Sequence, residues 1–226
     1  MAGLLLAVTQ TPEVVSPSGL RFYARPDTAG VVARAESALA RVPRDVDSLL
    51  ALGRAQASVW RYRDAVATYT NGLAVAYDWG GALFYRHRGH RYISLRRLRE
   101  AVADLEHAAA IDTSKYDFGS ARAPSFDVWY HLALAYYLTG RFTEAAEAYG
   151  RALATGRTAD DTVAASDWLW MALSRAGQGA AAARVLVPIT DSMGVRENGP
   201  YYQRLLLYAG RRTEADLRTL MATGDL

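Results

Sequence analysis

The amino-acid sequence predicts an all-α fold, a right-handed superhelix (solenoid) of antiparallel helix pairs. Residues 129–153 read as two consecutive amphipathic helices, one with an apolar stripe that stops at Gly140 and one with a stripe that begins at Phe142. An alanine also recurs at intervals of 36, 44 and 37 residues, at Ala65, Ala101, Ala145 and Ala182. Short helices of this kind cannot each bury a face alone, so they are expected to pack as hairpins on their neighbours.

The segment 129–153 carries a specific pattern of side chains. The pattern is an aromatic, a Leu, a small residue and a Tyr, then a Gly turn, then an aromatic, an Ala, a Tyr and an Ala: Trp129, Leu132, Ala133, Tyr136, Gly140, Phe142, Ala145, Tyr149 and Ala152. This pattern resembles the tetratricopeptide repeat, with Ala133 in place of the usual Gly. The resemblance covers residues 27–223. It implies a non-enzymatic scaffold whose concave groove, lined by the first helix of each pair, holds a segment of a partner protein.

Residues 1–26 are predicted to form an irregular leader, because helix-breaking residues interrupt it at Pro12, Pro17, Gly19 and Pro26. Val14–Val15 and Leu20–Tyr23 are candidates for short strands, or for segments that lie against the first helices. The apolar stretch Gly3–Val8 is preceded by no Lys or Arg and is shorter than the roughly 7–15 residues of a signal-peptide core. It is compatible with the remnant of an export signal whose start was trimmed.

Residues 27–226 are predicted to form the repeat domain. It begins with a partial pair at 27–43, for which Asp27 or Thr28 is the predicted N-cap. Four repeats and a closing hairpin follow, at about 46–79, 82–115, 126–159, 163–196 and 199–223. Two of the turns lack glycine and have Trp60 and Arg96 instead. Charged residues of the closing hairpin, Arg204 among them, are predicted to solvate its outer face.

The longest insertion between repeats is at 113–125, and it contains Lys115, the only lysine of the chain. Its Gly119 and Pro124 place it on the surface, where both a functional loop and a merely tolerated one are compatible with its length. Asp160 and Asp161 follow a Gly-Arg-Thr turn and are predicted to be an acidic cap at a helix N-terminus.

The composition restricts the classes of function. The chain has 226 residues, a formal net charge of +3 and no cysteine. The lack of cysteine excludes a disulfide framework and Cys-based zinc or thiol chemistry, and leaves both a cytoplasmic and a periplasmic or secreted location open. The sequence has no nucleotide-binding Gly-rich loop and no nucleophile elbow, so no catalytic residue and no cofactor is predicted. No apolar run approaches the roughly 20 residues of a bilayer span.

The predicted partner-binding residues lie on the first helices of the repeats, at Arg54, Arg86, His90, Tyr130, His131, Tyr137 and Asp167. Tyr130 and Tyr137 are offset from the apolar stripe of their helix, so they are expected to face the groove or to pack against the neighbouring repeat. Arg86 and His90 are four residues apart on one helix and His131 is on the next first helix. Together these three are expected to bind an acidic group of a partner.

Two alternatives to peptide binding remain open. The first is binding of an anionic ligand or of nucleic acid by the Arg-rich faces, although interspersed acidic residues and the small net charge argue against nucleic acid. The second is a metal site built on His87 and His90, with His131 and a carboxylate such as Asp127 or Asp167. The predicted partner is therefore another protein, recognised through a peptide segment, and the oligomeric state stays open.

Overall fold

The structure, a computed structural model, describes residues 10–76, 79–111 and 125–223. These residues form an antiparallel pair of short strands, β1 (Val14–Val15) and β2 (Arg21–Phe22), which confirms the strand prediction at these positions. Eleven helices follow: α1 (Val31–Arg41), α2 (Val46–Ser58), α3 (Tyr62–Leu73), α4 (Trp79–Ser94), α5 (Leu98–Ala110), α6 (Ser125–Leu138), α7 (Phe142–Thr155), α8 (Ala159–Arg175), α9 (Gly179–Val185), α10 (Gly199–Tyr208) and α11 (Glu214–Thr223). The apolar stretch of the predicted export-signal remnant and nearly all of the 113–125 insertion lie outside the described residues.

The chain divides into two compact units, Met1–Asp104 (unit 1) and Leu105–Leu226 (unit 2). In unit 1, α2 packs against both α1 and α3, and α3 packs against α4. The apolar faces meet in a buried cluster of Leu49, Leu50, Ala65, Tyr69 and Phe84. A Cβ added at Gly53 of α2 would lie 2.2 Å from Cε1 of Tyr69 on α3. The close crossing of these two helices therefore requires glycine at position 53.

In unit 2, α7 packs against α6 and α8, and α8 also packs against α9 and α10. The largest buried cluster combines small residues with one large ring: Ala133, Ala145, Ala146, Ala148, Tyr149, Leu169, Ala172, Leu173 and Ala182. Ala133, Ala145 and Ala152, three small residues of the repeat pattern, are fully buried. Small side chains allow two helix backbones to approach, and the Tyr149 ring fills the space that remains.

One kind of turn joins the helices of five successive pairs. The residue two positions after each first helix has a left-handed φ, at Trp60 (63°), Arg96 (60°), Gly140 (80°), Gly177 (75°) and Gly210 (71°). The N–H of the next residue donates to the carbonyl five residues earlier, as from Arg141 to Tyr136 (2.9 Å), and so satisfies the end of the first helix. At Trp60 and Arg96, where glycine is missing, this conformation costs about 1–2 kcal/mol.

Replacing Arg96 with glycine is expected to raise the free energy of unfolding by about 0.5–1 kcal/mol, because glycine adopts the left-handed conformation without a Cβ clash. Arg96 is exposed, so little packing is lost. Chemical denaturation measures the change. Ala103→Gly, at an exposed position inside α5, is the matched control and should lower stability by about 1 kcal/mol. A loss of stability in both variants would contradict the strain at Arg96.

The leader is attached to unit 1 at the α2–α3 turn. Glu13 Oε2 accepts the backbone N–H of Arg63 in the first turn of α3 (3.0 Å). The N–H of Arg25 donates to the carbonyl of Val59 (2.7 Å). The Arg25 guanidinium lies 3.6 Å from the centre of the Trp60 ring. The leader therefore caps α3 and covers the preceding turn.

Helix α1 begins later than the sequence predicts. The N-cap position is occupied by Gly30 rather than by Asp27 or Thr28, and the first helical residue is Val31. The Asp27 carboxylate nevertheless accepts three backbone N–H groups of the first turn, from Val31 (2.8 Å), Val32 (3.0 Å) and Ala33 (3.1 Å). Asp27 thus satisfies the helix end from a position three residues before the cap.

The second helix of the fourth pair is short. Helix α9 ends at Val185, and Pro188 disfavours helical conformation in the residue before it. The following segment folds back instead, with Ile189 fully buried and the Tyr202 hydroxyl donating to the carbonyl of Thr190 (2.5 Å). This segment packs into a core cluster with Val163, Tyr202, Leu205 and Leu206.

The acidic cap predicted at Asp160 and Asp161 is confirmed. Thr158 and Asp161 form a reciprocal capping box at the start of α8. Asp160 Oδ1 accepts the backbone N–H groups of Glu197 (2.8 Å) and Asn198 (2.9 Å), just before α10. These backbone hydrogen bonds, of which the one from Glu197 contributes most, lower the pKa of the Asp160 carboxyl.

Among the described residues no helix is both long and apolar enough to cross a membrane.

Candidate functional site

Half-buried aromatic side chains lie on three first helices of unit 2. We call them the aromatic cluster: Tyr130 and Tyr137 on α6, Trp168 and Trp170 on α8, and Tyr201 and Tyr208 on α10. The three helices are neighbours, since α8 packs against both α6 and α10. The Tyr137 ring meets the Trp168 ring edge-on at 5.3 Å, and Trp170 stacks on Tyr208 at 3.8 Å. Rigid rings of this type are the side chains that most often anchor a protein partner.

An ion pair lies within the aromatic cluster. The Asp167 side chain is fully buried, and its Oδ1 accepts from Arg204 Nε at 2.8 Å. Arg204 Nη2 donates to the other carboxylate oxygen, so the pair is bidentate. Burial raises the pKa of the Asp167 carboxyl above its ordinary value, and the hydrogen bonds and charge of Arg204 oppose that rise. The prediction that Arg204 solvates the outer face is wrong, because its guanidinium turns inward to a buried carboxylate.

The neighbouring predicted residues of α6 differ in exposure. Tyr130 is half-buried and stacks on Phe126 at 5.6 Å. Burial raises the pKa of its hydroxyl, and the nearby Tyr201 and Asp167 add to the rise. His131 is buried, and its Nδ1 lies 2.6 Å from the carbonyl of Asp127, to which it donates. Tyr130 therefore lies near Asp167, Tyr137 meets Trp168 beside it in the chain, and His131 lies in the interior of unit 2.

Several buried polar atoms of unit 2 have no hydrogen-bond partner among the described residues. They belong to the hydroxyls of Tyr149 and Ser166 and to the side-chain carbonyl of Gln203, on α7, α8 and α10. Each such group costs about 1–3 kcal/mol relative to a satisfied one. Stability alone does not favour unsatisfied polar groups beside the aromatic cluster, and such groups often accompany a functional site.

In unit 1, two of the predicted residues converge on one histidine. Arg54 Nε and Nη2 lie 3.3 and 3.2 Å from His87 Nε2, and Arg86 Nη1 lies 3.0 Å from His87 Nδ1. His90 is half-buried on the same helix as His87. Arg86 and His90 belong to unit 1 and His131 to unit 2, so their joint role in binding an acidic group stays a prediction.

The metal-site alternative gains no support from the described part of the chain. Within it, no three or more His, Cys, Asp and Glu side chains are placed to hold a metal ion. The two guanidinium groups beside His87 also repel any further cation there.

Sequence reasoning missed two ion pairs in which the carboxylate is buried. Arg88 donates to both carboxylate oxygens of Asp104, at 2.7 and 2.8 Å, and neither residue is exposed. Arg204 and Asp167 form the other pair. The sequence contains one signal for such pairs, an acidic residue on the buried face of an amphipathic helix. A carboxylate that is removed from water needs a cationic partner. The identity of that partner follows only from the fold.

The architecture defines an all-α helical-repeat protein, and a family model matches one of its helix pairs. The family model for the tetratricopeptide repeat matches residues 126–156, which hold nearly all of α6 and α7. The predicted resemblance to that family is therefore confirmed over this helix pair. None of the curated proteins compared with the chain matches it.

Solved structures share the fold at low sequence identity. YrrB, described as a TPR protein with an unusual peptide-binding site, is 19% identical over 84% of this chain and 90% of its own, with a TM-score of 0.58. MamA from Desulfovibrio magneticus RS-1 is 17% identical over 68% and 78%, with a TM-score of 0.54. The Cut9–Hcn1 assembly of the APC/C is 14% identical over 81% and 30%, with a TM-score of 0.57. The predicted all-α repeat fold is thus confirmed.

Proposed function

We propose that this protein is a non-enzymatic interaction scaffold that binds a segment of a partner protein on the aromatic cluster of unit 2. The observation that carries the proposal is the set of half-buried rings from α6, α8 and α10, with one ion pair whose guanidinium lies over the Tyr201 ring. These rings are only partly buried, and Tyr and Trp with one exposed side are the aromatic residues enriched at protein interfaces.

The fold supports the same proposal. In the family that the chain resembles, the first helices line the groove that holds a partner, and α6, α8 and α10 are first helices here. YrrB, which shares the fold, has a peptide-binding site. The proposed partner contacts of unit 2 are Tyr130 and Tyr137. Asp167 acts indirectly, by holding the Arg204 guanidinium in place.

The chemistry of the cluster defines the partner segment. The rings offer apolar faces, so the segment carries aliphatic or aromatic side chains. Asp167 is fully buried and occupies Nε and Nη2 of Arg204, so it positions that guanidinium rather than touching the partner. Arg204 retains 37% of its side-chain exposure and offers its remaining N–H groups to a carbonyl or carboxylate of the segment.

The predicted residues of unit 1 belong to the same proposal as contacts for acidic groups of a partner. Arg54 is exposed and Arg86 is half-buried, and both guanidinium groups meet the His87 ring. His90, on the same helix, is proposed to add a further hydrogen bond to such a carboxylate.

Replacing Tyr137 with serine is expected to weaken partner binding about tenfold or more, as truncation of a central aromatic anchor does. The partner is first trapped by a photo-cross-linking amino acid at position 137, and the affinity of each variant is then measured by calorimetry. Tyr136→Ser is the matched control. Its ring is on the same helix, but its hydroxyl donates to Glu106 (2.8 Å) and Arg141 lies over its face, so it does not join the cluster.

Two results would contradict the proposal. One is a partner that cross-links from position 136 and not from 137. The other is equal affinity of the wild type and Tyr137→Ser for the trapped partner.

A further inference from the structure

A crevice distinct from the aromatic cluster runs between the leader and helices α3 and α4 of unit 1. It consists of two adjoining cavities of about 280 and 260 Å³. The first is lined by Val14, Phe22, Trp60, Tyr62 and Ser94. The second is lined by Glu13, Arg63, Val66, Leu95 and Arg97. Consecutive residues of the same three segments, at 13–14, 62–63 and 94–95, line the two cavities. The two cavities are therefore neighbours. We call the two together the leader crevice.

The first half of the leader crevice is apolar and aromatic. The rings of Trp60 and Tyr62 lie nearly parallel, with an interplanar angle of 22° and 6.5 Å between centroids. Phe22 of β2 lies 6.4 Å from Trp60 and is itself exposed. Trp60 holds a left-handed backbone conformation where three of the other turns have glycine. The chain thus keeps a large ring at a position where a side chain is disfavoured, which points to a use for that ring.

Arginine side chains lie along both halves of the leader crevice. Arg63 and Arg97 line the second half, while Arg25 lies over Trp60 and Arg91 lies 5.2 Å from the centre of the Tyr62 ring in the first half. Desolvation by burial lowers the pKa of the Arg91 guanidinium. Across the described ranges of the chain, no carboxylate forms an ion pair with Arg25, Arg63 or Arg91.

The carboxylates nearest to the crevice already have partners. Glu13 accepts the backbone N–H of Arg63, and Glu100 pairs with Arg97 at 2.9 Å. Four guanidinium groups at the crevice (Arg25, Arg63, Arg91 and Arg97) outnumber the two carboxylates of Glu13 and Glu100, so positive charge is in excess beside an apolar cavity. A ligand that neutralises this charge gains charge-assisted hydrogen bonds, and a ring inserted between aromatic walls removes apolar surface from water.

We infer that the leader crevice binds a second segment of a partner protein, in which an aromatic or aliphatic side chain is followed by acidic residues. The apolar side chain enters the cavity of Trp60 and Tyr62. The acidic side chains reach Arg63, which presents its guanidinium at the adjoining cavity. Cavities of this size each hold one or two side chains, which fits a peptide better than the stacked bases and regularly spaced phosphates of a nucleic acid.

The inference is tested on the full chain with capped tetrapeptides of sequence serine-phenylalanine-aspartate-aspartate. Binding is followed by NMR through the indole N–H signal of Trp60, which is assigned by its loss in Trp60→Gly. Peptides with alanine in place of phenylalanine, or asparagines in place of the aspartates, are expected to bind about fivefold more weakly or worse. Equal binding of all three peptides, or an unmoved Trp60 signal at millimolar peptide, would overturn the inference. So would a stronger response of the same signal to a single-stranded oligonucleotide.

Two variants keep the test independent of folding. Trp60→Gly removes the ring and leaves a residue that adopts the same turn, and calorimetry then replaces the lost signal. Arg63→Glu reverses an exposed charge but keeps the backbone N–H that Glu13 accepts. Each variant is expected to weaken binding of the phenylalanine-aspartate peptide about fivefold or more.

The control is Arg99→Glu, the same charge reversal on α5 outside the crevice, which should leave the affinity for this peptide nearly unchanged. Equal losses of peptide affinity in Arg63→Glu and Arg99→Glu would show that the effect comes from net charge alone, and would overturn the inference. The Tyr137→Ser variant alters only the aromatic cluster. Its effect on peptide binding therefore distinguishes that cluster from the leader crevice.

Discussion

Replacing Arg204 with methionine is expected to lower the free energy of unfolding by about 2–3 kcal/mol near neutral pH. Methionine keeps the length of the side chain but leaves the fully buried Asp167 carboxylate without its counter-ion. This loss of stability is smaller than that expected for a fully buried ion pair, because the Arg204 side chain is 37% exposed and water reaches it. Thermal and chemical denaturation of the two proteins measure the loss.

The loss should depend on pH in a specified direction. Burial holds the pKa of Asp167 above its ordinary value, and removal of Arg204 raises it further. A group whose folded-state pKa is raised stabilises the fold below its unfolded pKa, about 3.9 for Asp, and that contribution is lost as pH rises through the folded pKa. The variant should therefore lose more stability at about pH 7.5 than at about pH 4.5.

The control for this prediction replaces both partners. Asp167→Leu combined with Arg204→Met removes the buried charge as well as its counter-ion, so it should recover most of the lost stability. A loss that does not change with pH, or a double variant as unstable as Arg204→Met alone, would show that the pair is not the cause.

A single methyl group at Gly53 should lower the free energy of unfolding by about 1–3 kcal/mol. The added Cβ would lie 2.2 Å from the ring of Tyr69, which is fully buried and has no room to withdraw. Tyr69 also lies against Phe84 (6.3 Å) and His87 (5.5 Å), so its displacement disturbs α4 as well. Urea denaturation of Gly53→Ala measures the effect.

The matched substitution should have the opposite sign. Gly150 lies inside α7, and an added Cβ there meets no atom within 4 Å. Gly150→Ala should therefore raise stability by about 0.5–1 kcal/mol through helix propensity alone. If Gly53→Ala also stabilised the protein, the close α2–α3 crossing would not be as tight as described.

The helix pairs could be predicted from the sequence because they depend on periodic features. Ala145 and Ala152 recur on the face that meets a neighbouring helix, and both are fully buried. The turn at Gly140 has the left-handed φ that glycine favours. Trp60 shows the limit of that rule, since the same turn forms without glycine when a ring packs on the leader.

The candidate sites were less predictable because they depend on contacts between distant residues. Tyr137 and Asp167 were identified by their position on first helices, and the structure places both at the aromatic cluster. Arg204 was missed, because an Arg in a terminal hairpin has the same sequence pattern whether it is solvated or paired. The leader crevice was missed because the leader has no helical period, so nothing in its sequence specifies the surface it covers.

The last helix is attached more weakly than the rest of unit 2. No side chain of α11 is buried, whereas α10 contributes Tyr202, Leu205 and Leu206 to a core cluster and is held at its start by Asp160. In a repeat array, stability is close to a sum of terms for each unit and for each interface between neighbours. The interface term of α11 is small, so α11 can open while α6, α8 and α10 remain folded. The aromatic cluster therefore keeps all three of its helices when α11 opens, and partner affinity need not vary with the state of α11.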